Sequence, residues 1–168
     1  MTSLLVRPAE PADFPAVARL TVAAYEADGQ LKGENGYADV LVDVAGRAVH
    51  GEILVATDPA TGQVCGTVTF VLPGSPYAEL CAPGEAEFRM LAVDPAMQGR
   101  GVGAALVEAC VARATVLGCA ALVICVRDGH ADSAHHLYRR RGFIRTPDQD
   151  WTPLPNVHLL ALRLPLTP

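Results

Sequence analysis

The spacing of apolar positions changes along the chain and divides it into strands and helices. "SLLVRP" is a short apolar run stopped by Pro8 and reads as a strand. From Pro11 onward, Phe14, Val17, Leu20 and Ala24 recur at intervals of three and four, which predicts an amphipathic helix ending near Asp28 and Gly29. A second helix is predicted over 37–50, with Val40, Leu41, Val44 and Val49 in one stripe and Asp39, Asp43 and Arg47 off it. "EILVAT" and "QVCGTVTFV" flank the turn-rich "DPATG" and predict an antiparallel hairpin over 52–71. The proline- and glycine-rich "LPGSPYAELCAPGE" is a loop.

The second half alternates more regularly. "AEFRMLAV" predicts a strand over 86–93, then a helix over 101–117 whose inward positions are Val102, Leu106, Ala109, Cys110 and either Val116 or Leu117, ended by Gly118. "AALVICVR" is apolar almost throughout, as in a strand buried on both faces. "ADSAHHLYRRR" predicts a helix closed by Gly142, and "NVHLLALRL" a last strand after a proline-rich connection. The order fits an α/β chain of the α+β type: a single mixed, mostly antiparallel central sheet flanked by helices, with one parallel pair where a helix crosses between the strands of 86–126. All of 1–168 reads as a single domain.

Composition narrows the class. Hydrophobic residues are 51% and charged residues 18% of the chain, the latter below the roughly 25% of an ordinary soluble domain. A surface this poor in charge points mildly to a homodimer. The net charge of −5 argues against general attraction to nucleic acid or to an anionic membrane. The five cysteines are odd in number, lack a C-x-x-C spacing and fit a reducing cytoplasm. No apolar run is long enough for a membrane span, and the first residues lack a signal-peptide pattern.

The chemistry concentrates in "VDPAMQGRGVGAALVEACVARA", residues 93–114. Its glycines fall where a strand gives way to a helix. Glycine lets backbone approach a ligand, and the first helical turn leaves N–H groups open at the positive end of the dipole, so an anion fits there. Arg100 adds a forked donor. A plain strand-to-helix turn also uses glycine. Gly99, Gly101 and Ala104, with Asp128 beyond, fit the letters of a dinucleotide fingerprint, but that turn follows its strand at once, whereas Asp94 to Gln98 intervene here. A P-loop lacks its Gly-Lys-Ser/Thr.

"EFRMLAVDPAMQGRGVGAALV" resembles the acetyl-CoA-binding motif of the GNAT superfamily of N-acetyltransferases, Q/R-x-x-G-x-G/A, which Gln98, Gly101 and Gly103 match. The resemblance extends to the opening "VRPAEPADFPAVARL" and the distal "AHHLYRRRGF", in the family's order. It implies that the turn of Gln98, Gly99, Arg100, Gly101, Val102, Gly103 and Ala104 holds the pyrophosphate of acetyl-CoA as co-substrate. It further implies a splayed central strand pair, with main-chain groups of Leu91, Ala92 and Val93 along the pantetheine arm and near the oxyanion.

Acetyl transfer to an amine needs a neutral amine, stabilisation of the oxyanion and a proton for the leaving thiolate. Tyr138 matches the family's general acid. Glu87, on the strand before the turn, matches the position where some members carry a general base; base, base through water, and ion pair with Arg89 all remain open. Strict alternation would set Glu87, Arg89, Leu91 and Val93 on one face. Where members often have an asparagine, seven residues before the tyrosine, this chain has Ala131, and Ser133, Asp132 or His130 would take over its polar contact. His130, His135 and His136 have no ligand spacing, so no metal is expected. Arg139 to Arg141 read as a solvated helix end, within reach of the adenosine 3′-phosphate if the resemblance holds.

The acceptor side would draw on Tyr25, Glu26, Asp28, Tyr37, Asp39, Tyr77, Glu79 and Trp151, a set of acids and aromatics suited to a cationic amine, with Tyr25, Tyr37, Tyr77 and Glu79 the substrate-contacting candidates. The expected function is acetyl transfer from acetyl-CoA to a primary amine of a small molecule or peptide. The alternative is a CoA-binding sensor or interaction module without catalysis.

Overall fold

A computed structural model describes residues 4–31, 36–130 and 132–166. β1 (Leu5–Pro8) is followed by a single 3-10 turn and α1 (Phe14–Ala27). Two short helices come next, α2 (Tyr37–Val42) and α3 (Val44–His50), then β2 (Glu52–Thr57), β3 (Val64–Val71) and β4 (Glu85–Val93). After the glycine turn come α4 (Val102–Val116), β5 (Ala121–Arg127) and α5 (Asp132–Arg141). The chain closes with β6 (Ile144–Arg145), β7 (Trp151–Leu154) and β8 (Val157–Pro165).

The strands form one sheet in the order β1-β2-β3-β4-β5-β8-β6, with β7 paired to β8. All pairs are antiparallel except β4–β5, the parallel pair expected from the strand–helix–strand segment. On β2 the alternation of side chains is explicit: Leu54 and Ala56 join the core under α4 and α5, while Ile53 and Val55 join the core under α1 and α3. The strand is therefore apolar on both faces because helices cover both. Cys65 and Cys110 are buried, and all five cysteines are free.

The segment 37–50 is not the single helix that its spacing predicts. It breaks at Asp43, whose carboxylate accepts from the Gly46 amide and caps α3. A Cβ at Gly46 would run into that carboxylate, so the glycine serves the cap. The break re-aims the stripe: Leu41 and Val44 are buried, Val49 is 76% exposed, and Arg47, expected on the polar side, is fully buried. On α4 the inward set is Val102, Leu106, Val107, Cys110 and Ala114, whereas Val116 and Leu117 face solvent. β6 and β7 carry no strand pattern of their own and are held by pairing to β8.

Two irregularities in the centre of the sheet make the site. β4 and β5 pair only at Glu85–Ala121, Ala86–Leu122 and Glu87–Val123, and then separate. Beyond that point β4 bulges against β3: Thr69 faces Arg89 but Thr67 faces Ala92, and Met90 sits at φ 58. The extra residue flips the parity of the strand. Glu87 and Arg89 face the α1 side, while Leu91 and Val93 pack with Ala86 and Phe88 against the α4 core, so the four do not share a face as strict alternation predicts.

Candidate active site

Where β4 and β5 part, a cavity of about 710 Å³ opens between them. Its walls are Phe88 to Val93 of β4, Ile124 to Arg127 of β5, the end of α1 and the beginnings of α4 and α5. Both strand edges facing it lack a ladder partner, which leaves main-chain donors and acceptors for a ligand.

The glycine turn stands at the cavity mouth. Gly99 and Gly101 hold φ values of 79 and 82, a left-handed backbone that a side chain would strain. Gly101 is the N-cap of α4 and offers no side-chain acceptor; the first helical bond runs from the Ala105 amide to the Gly101 carbonyl. The amides of Val102, Gly103 and Ala104 are thus the open donors of the helix start, beside the positive end of its dipole. These residues fit a phosphate-bearing ligand. Gln98, Gly99, Gly101, Val102, Gly103, Ala104, Leu91, Ala92, Val93 and Ser133 all line the cavity, whereas Arg100 is exposed with its guanidinium over the Met97 sulfur. Arg140 also reaches the cavity wall, while Arg141 pairs with Glu108. Position 131 lies outside the described residues; His130 is hydrogen-bonded to the Asp28 carbonyl, which ties the β5–α5 connection to the end of α1.

Tyr138 lines the same cavity from α5. Phe88 and Phe143 pack around its ring at centroid distances of 5.7 Å each, leaving 5% of the residue exposed. Burial holds its phenol well above the ordinary tyrosine range, so the group carries its proton at neutral pH. Its hydroxyl takes no hydrogen bond among the described residues, and the residue forms part of the cavity wall.

Glu87 occupies a different environment from the open cleft position that the sequence allows. It is fully buried, and its carboxylate accepts from the backbone amides of Glu79, Leu80 and Cys81 at 2.8 to 3.2 Å. The carboxylate anchors the loop after β3. The ion pair on Arg89 is made by Glu79 at 3.0 Å, not by Glu87.

Arg89 is the organising residue that the sequence left inconspicuous. Its guanidinium donates to the Tyr77 carbonyl and to the Tyr37 hydroxyl, each at 3.0 Å, and it lines the cavity. Tyr25 lines the cavity too and lies 5.7 Å from Tyr37, ring to ring. The four acceptor-side candidates Tyr25, Tyr37, Tyr77 and Glu79 therefore gather around one arginine. Burial raises the Glu79 carboxyl above the ordinary range, against the opposing pull of Arg89. Trp151 reaches the same region from β7, its indole N–H on the Cys125 sulfur at 3.5 Å. Among the described residues no group of three or more histidine, cysteine or acidic side chains could hold a metal ion, and no helix is long and apolar enough to cross a membrane.

A mixed sheet pried open between its two parallel strands, with a glycine turn at the mouth of the gap, defines the acyltransferase class with the GNAT fold. The model of the Acetyltransferase (GNAT) family matches residues 18–143, and the chain belongs to that family. Its members generally use acetyl-CoA as acyl donor. Solved structures agree over nearly the whole length. A protein described as histone acetyltransferase HPA2 and related acetyltransferase, from Corynebacterium glutamicum, superposes with a TM-score of 0.74 at 25% identity, covering 99% of each chain. A GNAT-family acetyltransferase from Staphylococcus aureus gives 0.76 at 12% identity, covering 98% of this chain and all of its own. The ribosomal-protein-S18-alanine N-acetyltransferase from Escherichia coli gives 0.69 at 19%, covering 97% and 94%. No curated protein matches the chain in sequence.

Proposed function

We infer that the protein moves an acetyl group from acetyl-CoA to a primary amine by direct attack in a ternary complex. The observation that carries this reading is the continuity of one cavity, from the open amides at the start of α4, along the unpaired edge of β4, to the Tyr138 ring. When bound there, acetyl-CoA supplies the activated acyl group. The amides of Val102, Gly103 and Ala104 are donors for its pyrophosphate. The main chain of Leu91, Ala92 and Val93 offers ladder groups to an amide-bearing arm and donors near the reacting carbonyl.

Tyr138 holds the proton for the leaving sulfur. Neither glutamate is a free base: Glu79, partly exposed at 17% and with its carboxyl raised by burial, is ion-paired to Arg89, and the Glu87 oxygens are occupied by loop amides, so the amine's proton leaves through water. Direct transfer is favoured over an acyl-cysteine relay: Cys125, on the cavity wall, has its thiol pushed up to about 12 by burial, so little thiolate exists at neutral pH.

The test is to titrate the protein with acetyl-CoA by calorimetry and then follow free-thiol release with aminoglycosides, polyamines, amino acids and peptides as acceptors. Acetyl-CoA should bind, and at least one amine class should raise thiol release above hydrolysis. Gly101→Val, strained at its left-handed φ of 82, should weaken acetyl-CoA binding at least about tenfold. Binding without transfer to any amine would replace this reading with a CoA-binding module that does not catalyse.

A further inference from the structure

Arg47 of α3 is fully buried. Its Nη1 donates to the carbonyls of Val40 and Leu41, at 3.1 and 2.8 Å, and so closes the end of α2. Its Nε and Nη2 are sealed from solvent and have no acceptor among the described residues. Those two nitrogens present parallel N–H bonds along one side of the guanidinium plane. That is the fork that matches the two oxygens of a carboxylate.

No acid among the described residues answers it. Burial lowers the pKa of Arg47, and its titratable neighbours are Tyr77, Tyr25, Tyr37 and Arg89. Glu79 is committed to Arg89, and Glu87 to three loop amides. A helix cap accounts for Nη1 alone. An unpaired guanidinium buried beside a second arginine is costly, and the cost is relieved when an anion occupies the fork. Of the Arg47 neighbours, Tyr25 and Arg89 line the cavity. The sequence reading of this side as a set of acids and aromatics suited to a cationic amine did not include the buried Arg47 or the half-buried Arg89.

We propose that the acceptor is an amine that also carries a carboxylate, and that this carboxylate docks on the Nε/Nη2 fork of Arg47 within the Tyr25, Tyr37 and Tyr77 cluster. The proposal rests on the acetyl-transfer reading for the role of the amine, but the anion site stands on the orphaned fork. Because both nitrogens are sealed, docking requires the tyrosine cluster to part.

Matched acceptors test it: L-amino acids, β-alanine and 4-aminobutyrate, each compared with its carboxamide under saturating acetyl-CoA. The wild type should favour the carboxylates at least about tenfold in kcat/KM. In Arg47→Met, which leaves no buried charge behind, the ratio of carboxylate to carboxamide should fall at least about thirtyfold, mainly through KM, as expected when one partner of a buried charge pair is removed. Thermal melts establish that the variant is folded, and Arg47→Gln provides a second variant. Equal use of both acceptor types by the wild type, or an unchanged ratio in the folded variants, would overturn the proposal and leave Arg47 a helix cap. Calorimetry with the same carboxylates and CoA separates the two readings. Carboxylate binding that is lost in Arg47→Met, without transfer to any amine, supports the anion site while acetyl transfer fails. No carboxylate binding to the wild type overturns the site whatever the turnover.

Discussion

Tyr138 keeps its proton because Phe88 and Phe143 exclude water from around its ring, and a phenolate there would be poorly solvated. The sign for activity follows. A raised pKa means that the acid form persists to higher pH, so kcat should show no loss of this proton between neutral pH and the ordinary tyrosine value of about 10. Tyr138→Phe should lower kcat at least about tenfold while changing acetyl-CoA affinity less than about twofold, because it removes a proton donor and little packing. Stopped-flow thiol release and calorimetry read the two quantities separately. Wild-type kcat in the variant would remove Tyr138 from the acid role. The tyrosine was visible in the sequence through the "LYRRRGF" pattern, but its aromatic cage was not: Phe88 lies on β4 and only the fold brings it to α5.

Among the elements, the loop 72–84 is tied to strand β4 through a buried carboxylate. Glu87 gathers three consecutive loop amides, and the same loop supplies Tyr77 and Glu79 to Arg89. Glu87→Gln should therefore destabilise the protein by roughly 2 to 3 kcal/mol in urea unfolding, since it weakens charge-assisted hydrogen bonds and sets an amide donor against a backbone donor. It should raise KM for the amine more than it lowers kcat, and should leave the acidic limb of the pH profile in place. Disappearance of that limb with stability intact would make Glu87 the base after all. The helix and strand periods announced most elements, yet three features escaped them. The break at Asp43 depends on a cap to Gly46, the bulge at Met90 on pairing with β3, and β6 and β7 on pairing with β8. The cap is a local contact that overrides the helix period, and the bulge and the two short strands are decided by partner strands distant in sequence.

At the scale of the molecule, β4 and β5 give up ladder pairing beyond Glu87 and Val123, and a ligand that fills the open seam should stabilise the whole fold. With free acetyl-CoA at a hundred times its Kd, linkage gives about 2.7 kcal/mol, a rise in Tm of roughly 5 to 10 °C for a chain of this size. Differential scanning fluorimetry measures it; an unmoved Tm at saturating acetyl-CoA would remove the seam as the donor site. Residue period and turn chemistry, which are local, were enough for the sequence by itself to determine the longer helices and strands, the parallel pair and the glycine turn at the head of α4. The face on which each β4 side chain emerges, the burial of Arg47 and the gathering of Tyr25, Tyr37, Tyr77 and Glu79 around Arg89 were decided only by tertiary structure. Those outcomes depend on a bulge and on contacts between residues as far apart as Tyr37 and Arg89, which no local spacing encodes.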